Sequence, residues 1–242
     1  MVNSHPQLTL DLSVRRAQGR ADFLVTDSNS DAVAWLDRWP DWPSPVLSLY
    51  GPESCGKTHL AHLWCDAAQG RLIGPDDLCR DAVPELAAQG AIAIDFSDLS
   101  MADAFDAYEA LLHLYNLLAE QGGYLLLAAR RPPKQWAIAL PDLRSRLLAA
   151  PSVGIQAPDD QLLLAVMAKM FADRQVRVNQ DVLTYLAARI ERSFLAAEAA
   201  VVQLDQASLS GNRPITVPLA RAALATDPAD VKDVEDGIDA QE

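Results

Sequence analysis

An eight-residue segment bounded by glycines carries the clearest chemical signal in this 242-residue chain. Residues 51–58 read GPESCGKT, which matches the pattern GxxxxGK(S/T) at every position. In such a loop, backbone N–H groups surround a β-phosphate, the lysine reaches the β- and γ-phosphate oxygens, and the final hydroxyl binds Mg²⁺. The predicted cofactor-binding residues are Gly51, Ser54, Cys55, Gly56, Lys57 and Thr58. The alternative is an ordinary strand-to-helix turn that carries Lys-Thr without a ligand.

An apolar run that ends in an acid supplies the carboxylate that such a loop requires. Residues 91–95 read AIAID, and Asp95 would hold the Mg²⁺ directly or through water. Many ATPases with this loop have a second carboxylate directly after that acid, where it orients the attacking water. Here the next residue is Phe96. We therefore predict binding of ADP or ATP, with Mg²⁺ held through Thr58 and Asp95, and we leave hydrolysis by the chain itself open.

The elements that must position these residues alternate between strand and helix. Four apolar runs predict strands, at 46–50, 71–73, 91–95 and 124–129. Helical spacing predicts helices at 28–39, 59–68, 76–89 and 103–121. Strands that are apolar on both faces and separated by helices are typical of a parallel sheet with crossover connections, so the predicted fold class is α/β.

The character of the chain changes after residue 158. No strand pattern follows, and four helices are predicted, at 159–173, 181–189, 193–209 and 218–224. We expect four consecutive parts: an extended arm over residues 1–20, an α/β nucleotide-binding domain over 21–157, a small helical lid domain over 158–224 and a disordered acidic tail over 225–242.

Charge and composition exclude several classes of protein. Of the formal net charge of −13, residues 225–242 carry −6, which leaves −7 on the rest of the chain. A protein that binds DNA directly needs a basic face, so direct sequence-specific DNA binding is not expected. Three cysteines without metal-type spacing fit a reducing cytoplasm. Neither a membrane span nor a signal peptide is recognisable, so we expect a cytoplasmic protein without membrane contact.

Four segments together resemble the AAA+ module of the bacterial replication initiator DnaA over roughly residues 20–224. They are GPESCGKTHLAHLW, AIAID, LLLAARRPPKQW and LPDLRSRL. The resemblance implies a P-loop parallel sheet with helices on both faces, followed by a small all-helical lid. An initiator would continue into a basic helix-turn-helix domain, whereas this sequence continues into acidic residues. We therefore expect a short relative of the initiator.

The arm carries a second resemblance. Residues 7–12 read QLTLDL, which is similar to the hexapeptide by which proteins dock on the bacterial replicative sliding clamp. Such a peptide binds in extended form, with the glutamine at a pocket rim and alternate leucines in apolar subsites. The clamp-binding residues would be Gln7, Leu8, Leu10 and Leu12. An arm of this kind ahead of a DnaA-like module resembles the Hda family, the regulatory inactivators of DnaA.

This second resemblance implies partners and a mode of action. A clamp-bound, ADP-carrying Hda protein contacts ATP-bound DnaA and promotes hydrolysis of the initiator's ATP, so the implied partners are DnaA and the β subunit of the DNA polymerase III sliding clamp. A homodimer is an open alternative. The family's arginine finger lies in an LxSR box, which makes Arg146 the catalytic candidate, acting in trans. The alternative is that Arg146 caps a helix or pairs with Asp142.

Two further positions follow from the DnaA resemblance. The sensor-2 arginine would be Arg192, or else Arg189, and Arg130 stands where a sensor-1 loop offers a polar or acidic residue. Two other functions stay open: an autonomous AAA+ ATPase of the helicase-loader type, and a non-catalytic interaction module whose nucleotide is structural. Phe96 argues against the first of these.

Overall fold

A five-stranded parallel sheet lies at the centre of the first domain. The computed structural model describes residues 15–16, 24–97, 105–211 and 213–225. The predicted clamp-binding residues Gln7, Leu8, Leu10 and Leu12 lie outside the described residues, as do residues 226–242 of the predicted tail.

The described residues contain seven strands: β1 (Arg15–Arg16), β2 (Leu24–Val25), β3 (Val46–Tyr50), β4 (Arg71–Ile73), β5 (Ala91–Asp95), β6 (Tyr124–Ala129) and β7 (Ser152–Gly154). Strands β1 and β2 form a separate antiparallel pair. The other five form one parallel sheet in the order β4-β5-β6-β3-β7. Asp95 pairs with Ala128 and Tyr50 with Ala129, so β5, β6 and β3 end side by side at one edge.

Nine α-helices occur in the described residues: α1 (Ser30–Asp37), α2 (Lys57–Ala68), α3 (Val83–Ala88), α4 (Phe105–Gln121), α5 (Pro141–Ala149), α6 (Asp160–Asp173), α7 (Gln180–Ala187), α8 (Phe194–Gly211) and α9 (Val217–Ala225). Helices α1 and α2 cover one face of the sheet, and α3, α4 and α5 cover the other. Strand side chains alternate between these layers: Ile92 and Ile94 pack with the second group, Ala91 and Ala93 with the first. Burial on both faces explains why the strands read as continuous apolar runs.

The four predicted strands are confirmed, and most predicted helices are confirmed to within two residues in their described parts. The helix predicted over 76–89 is wrong in its first half, because Pro75–Asp77 forms a 3₁₀ turn and α3 begins only at Val83. Pro84 lies in the first turn of α3, where a missing N–H is tolerated, so this proline marks the helix start. Strand β7 was not predicted.

Helices α6 to α9 form the lid, which has an apolar core of its own. Leu163, Phe171, Leu186 and Val201 are almost completely buried in this core. Asp159 starts the lid, because its carboxylate accepts the N–H of Leu162 at 2.8 Å and so caps α6. Among the residues that the structure describes, no helix is long and apolar enough to cross a membrane.

Candidate nucleotide site

The predicted phosphate loop connects β3 to α2 at the carboxyl edge of the sheet. The N–H of Gly51 donates to the carbonyl of Ala129 at 3.2 Å, which ties the start of the loop to β6. Gly56 caps α2 with a φ of 100°, a left-handed conformation that side chains disfavour. The loop therefore leads directly into a helix N-terminus, whose free N–H groups and positive partial charge favour a phosphate.

Lys57 is held inside this loop. Lys57 is only 3% exposed. Its ammonium donates to the carbonyls of Gly51 at 3.1 Å and Pro52 at 2.7 Å. The Cys55 sulfur lies 3.8 Å from the same ammonium. Burial nevertheless raises the pKa of the Cys55 thiol, although Lys57 acts in the opposite direction. Cys55 is therefore a buried thiol that fills space rather than a reactive thiolate.

Thr58 and Asp95 meet across the loop. The Thr58 hydroxyl donates to one carboxylate oxygen of Asp95, and the other oxygen accepts the N–H of Ser97 at 2.9 Å. A hydroxyl beside a carboxylate provides the oxygen ligands that Mg²⁺ prefers. These two residues lie 37 positions apart in sequence, so the sheet brings the predicted metal pair together.

Phe96 fills the position where a second carboxylate would stand. The residue is 1% exposed, and its ring lies 5.8 Å from that of Trp136 in the core formed with α3, α4 and α5. The chain direction after Asp95 thus turns this side chain into the core and away from the loop. Phe96 cannot accept a proton from a water molecule.

Arg130 links the loops on either side of it. Its guanidinium forms an ion pair with Glu53 at 2.9 Å and donates to the Ser97 carbonyl at 2.6 Å. The sequence indicates the position of Arg130 but neither of these two partners. Glu53 occupies a variable position of the loop motif, so no pattern singles it out.

The lid contacts the phosphate loop through the first residue of α8. The Phe194 N–H donates to the Ser54 carbonyl at 3.0 Å, and a Cβ at Gly56 would lie 3.0 Å from the Phe194 ring. No sequence signal had drawn attention to Phe194. It couples the lid directly to the loop that contains Lys57.

Arg192 lies near this contact and lines a cavity of about 910 Å³, together with residues before α1 and at the start of α6. Its guanidinium pairs with Asp160 at 2.9 Å. Arg189 instead stacks over the Tyr185 ring at 3.7 Å within the lid. The two sensor-2 candidates thus line different cavities, since Arg189 faces a second one within the lid.

Arg146 lies on a different surface, on α5. Its Nε donates to Asp142 at 3.0 Å, one helical turn away, and its guanidinium lies 5.1 Å from the centre of the Tyr115 ring. The hydrogen bond to Asp142 raises the pKa of Arg146 above its ordinary value. The structure thus contains the Asp142 pairing that was the alternative interpretation of this residue, and the side chain keeps 36% of its surface exposed.

Known proteins resemble this chain both in the sequence of its lid and in its overall fold. Residues 159–224 match the family model described as the Hda lid domain. Domain III of the Thermotoga maritima replication initiation protein DnaA is similar in structure, with a TM-score of 0.69 and 18% identity over 84% of this chain and 94% of that one. AMPPCP-bound DnaA from Aquifex aeolicus has a TM-score of 0.61 and 18% identity over 78% of this chain.

A DNA replication initiation factor is similar with a TM-score of 0.66 and 17% identity over 79% of this chain. The chain spans 65% of the length of that factor and of the Aquifex DnaA structure. The C-terminal part of the chain thus matches the Hda lid domain, and the parallel sheet together with this lid has the fold of DnaA domain III.

Proposed function

We propose that this protein is a negative regulator of chromosome replication initiation. In this proposal it docks on the DNA sliding clamp through its N-terminal arm, holds ADP, and stimulates hydrolysis of the ATP bound to DnaA. The single observation that carries the proposal is a complete phosphate loop with its metal-binding acid, Asp95, followed by the buried Phe96. Such a site can hold a nucleotide but lacks the adjacent carboxylate that would activate water.

The residues of the loop fit a nucleotide with Mg²⁺. Lys57 would contact the phosphates, and Thr58 and Asp95 would hold the metal, which neutralises phosphate charge when bound. Gly51, Ser54, Cys55 and Gly56 would contribute backbone groups, and Arg192 would approach from the lid. With residues from both the sheet and the lid, this chain would hold the nucleotide between its two domains, with weak or no hydrolysis by the chain itself.

Arg146 is the residue that we assign to the reaction on DnaA. An exposed guanidinium on a helix surface can enter a neighbouring subunit's nucleotide site, where it stabilises negative charge that develops on the γ-phosphate. To do so it must exchange Asp142 for phosphate. Both side chains of the present pair are substantially exposed, at 36% and 55%, so this exchange costs little.

The clamp-docking step rests on Gln7, Leu8, Leu10 and Leu12. Docking would concentrate the protein at DNA that has just been replicated, and thereby raise its encounter rate with DnaA. A test measures ADP formation from ATP-loaded DnaA in the presence of DNA-bound clamp and the ADP form of this protein. We expect clamp-dependent stimulation with wild type and its loss when Gln7, Leu10 and Leu12 are all replaced by alanine.

The interleaved triple variant at Thr9, Asp11 and Ser13 is the matched control, because it changes the same segment but not the predicted anchors. Equal loss in both triple variants would contradict anchoring by Gln7 and the leucines. If wild type leaves ADP formation by DnaA unchanged, the proposed function is wrong.

One observation favours a second candidate, a non-catalytic interaction module. Arg146 is already satisfied by Asp142 and Tyr115 within its own chain, as a purely structural arginine would be. This candidate predicts that Arg146→Ala leaves hydrolysis by DnaA unchanged, whereas the first candidate predicts a large loss.

A further inference from the structure

Arg130 follows the central strand of the sheet and lies between the ends of the two neighbouring strands. Strand β6 lies between β3 and β5, and Arg130 is the residue directly after it. Its guanidinium therefore reaches Glu53, in the loop after β3, and the Ser97 carbonyl, just after β5. Arg130 therefore bridges the loop that precedes Thr58 and the loop that follows Asp95.

The Glu53–Arg130 ion pair is exposed and easily exchanged. The two side chains keep 62% and 51% of their surfaces accessible. Exposed pairs of this kind contribute little to stability, so another anion can replace one partner at small cost. A phosphate group is a strong competitor, because a guanidinium can donate to it through two parallel hydrogen bonds.

Ser97 connects Arg130 to Asp95. The Ser97 hydroxyl is buried without a hydrogen-bond partner among the described residues. The N–H of Ser97 donates to Asp95 and its carbonyl accepts from Arg130. Buried hydroxyls are rarely left unpaired, so a water molecule is expected beside it.

We propose that Glu53 and Arg130 together set the preference of this site between nucleoside diphosphates and triphosphates. This inference rests on the proposed nucleotide-binding function. A diphosphate leaves the ion pair intact. A triphosphate brings further negative charge toward the loops that the pair spans, so it must take Arg130 from Glu53 and then lie beside an unpaired carboxylate. Glu53 therefore opposes the terminal phosphate and Arg130 attracts it, so the two residues shift the ratio of ADP to ATP affinity in opposite directions.

The test compares the dissociation constants of ADP and ATP, each with Mg²⁺, by fluorescence titration of the full chain. We expect Glu53→Gln to improve ATP binding relative to ADP by about tenfold, because repulsion is removed and Arg130 is released. Arg130→Gln is expected to weaken ATP relative to ADP by about tenfold. Arg130→Lys keeps the charge but loses the two parallel hydrogen bonds, so its ADP-to-ATP ratio is expected to lie between those of wild type and Arg130→Gln.

Two charge-matched controls accompany these variants. Arg131→Gln removes the neighbouring exposed arginine, and Asp66→Asn removes an exposed acid of α2. Both are expected to leave the ADP-to-ATP ratio within about twofold of wild type, because neither belongs to the Glu53–Arg130 pair and exposed charges are screened by solvent and salt. Thermal unfolding of each variant checks that the chain is folded.

The outcomes separate the inference from the function on which it rests. If ADP binds normally but Glu53→Gln and Arg130→Gln leave the ratio unchanged, the inference is overturned and the nucleotide site stands. If the two variants shift the ratio in the same direction, the inference is also overturned. If folded wild type binds neither nucleotide, both the inference and the proposed function fail.

Discussion

The phosphate loop and the surface of α5 are built in opposite ways, although each carries a cation that we assign to nucleotide chemistry. Lys57 is 3% exposed, and its ammonium donates to two carbonyls of its own loop. Arg146 keeps 36% of its side chain exposed and contacts the exposed Asp142 and the half-buried Tyr115.

This difference indicates where each cation can act. A buried ammonium inside a loop can serve only a ligand that enters that loop, whereas an exposed guanidinium on a helix can reach a second molecule. Substitutions in the loop should therefore change nucleotide binding by this chain. Substitutions on α5 should change hydrolysis by DnaA and leave nucleotide binding intact.

Replacing Arg146 by alanine, on the exposed surface of α5, should have the largest effect on the hydrolysis of DnaA-bound ATP. We expect clamp-dependent hydrolysis of DnaA-bound ATP to fall by about 10³-fold, since no other group would stabilise the developing phosphate charge in trans. ADP release from this chain, followed by fluorescence, should not change. Arg144→Ala is the matched control, because Arg144 is exposed on the same helix. Equal losses in the two variants would contradict the assignment.

Replacing Lys57 by alanine tests the buried cation of the phosphate loop. The affinity for ADP should fall by about 100-fold, because a charge-assisted contact to phosphate is lost. Isothermal titration calorimetry measures this change. Lys134→Ala, at an exposed lysine of the turn Pro133–Gln135, should leave the affinity unaltered. Unaltered ADP binding in Lys57→Ala would remove the phosphate loop from the account.

Gly56→Ala examines the contact between loop and lid. The substitution forces a side chain into a left-handed conformation and toward the Phe194 ring, so we expect a cost of about 1–3 kcal/mol in the free energy of unfolding. Gly90 also has a positive φ, but no atom lies within 4 Å of its Cβ position. Gly90→Ala should therefore cost less in urea denaturation. Equal losses of unfolding free energy in the two variants would indicate that the Phe194 ring does not restrict the space beside Gly56.

Asp142→Asn should have the smallest effect, in the opposite direction to Arg146→Ala. Removing the carboxylate releases Arg146 from its partner on the same helix, so stimulated hydrolysis should rise by about twofold. Steady-state ADP formation at a limiting concentration of this protein measures the change. A decrease would mean that Asp142 orients Arg146 for its reaction instead of competing for it.

Much of the fold could be predicted because the sheet is buried on both faces. Strands β3, β5 and β6 therefore appear as largely apolar runs, and the loop motif between β3 and α2 locates one edge of the sheet. The three-residue strand β7 could not be predicted, since Ser152–Gly154 has no apolar run and pairs with β3 only through the fold. The helix over 76–89 was predicted too long because the prediction did not use Pro84, which lies in the first turn of α3.

The candidate site was predictable where a motif defines it and hidden where partners are distant. The motif and the acid-terminated strand were enough to predict Thr58 and Asp95 as a pair. The contacts of Arg130 with Glu53 and of Phe194 with Ser54 join positions far apart in the chain, at residues that follow no local pattern. Such contacts depend on which strands and helices become neighbours, and spacing along one sequence does not contain that information.

The most direct test of the central claim determines which protein's ATP is hydrolysed. Two mixtures contain DNA-bound clamp, DnaA and this protein, with labelled ATP loaded on DnaA in one and on this protein in the other. The account predicts rapid formation of labelled ADP only when DnaA carries the label. Faster hydrolysis of the label carried by this protein would contradict it and would identify the chain as an ATPase in its own right.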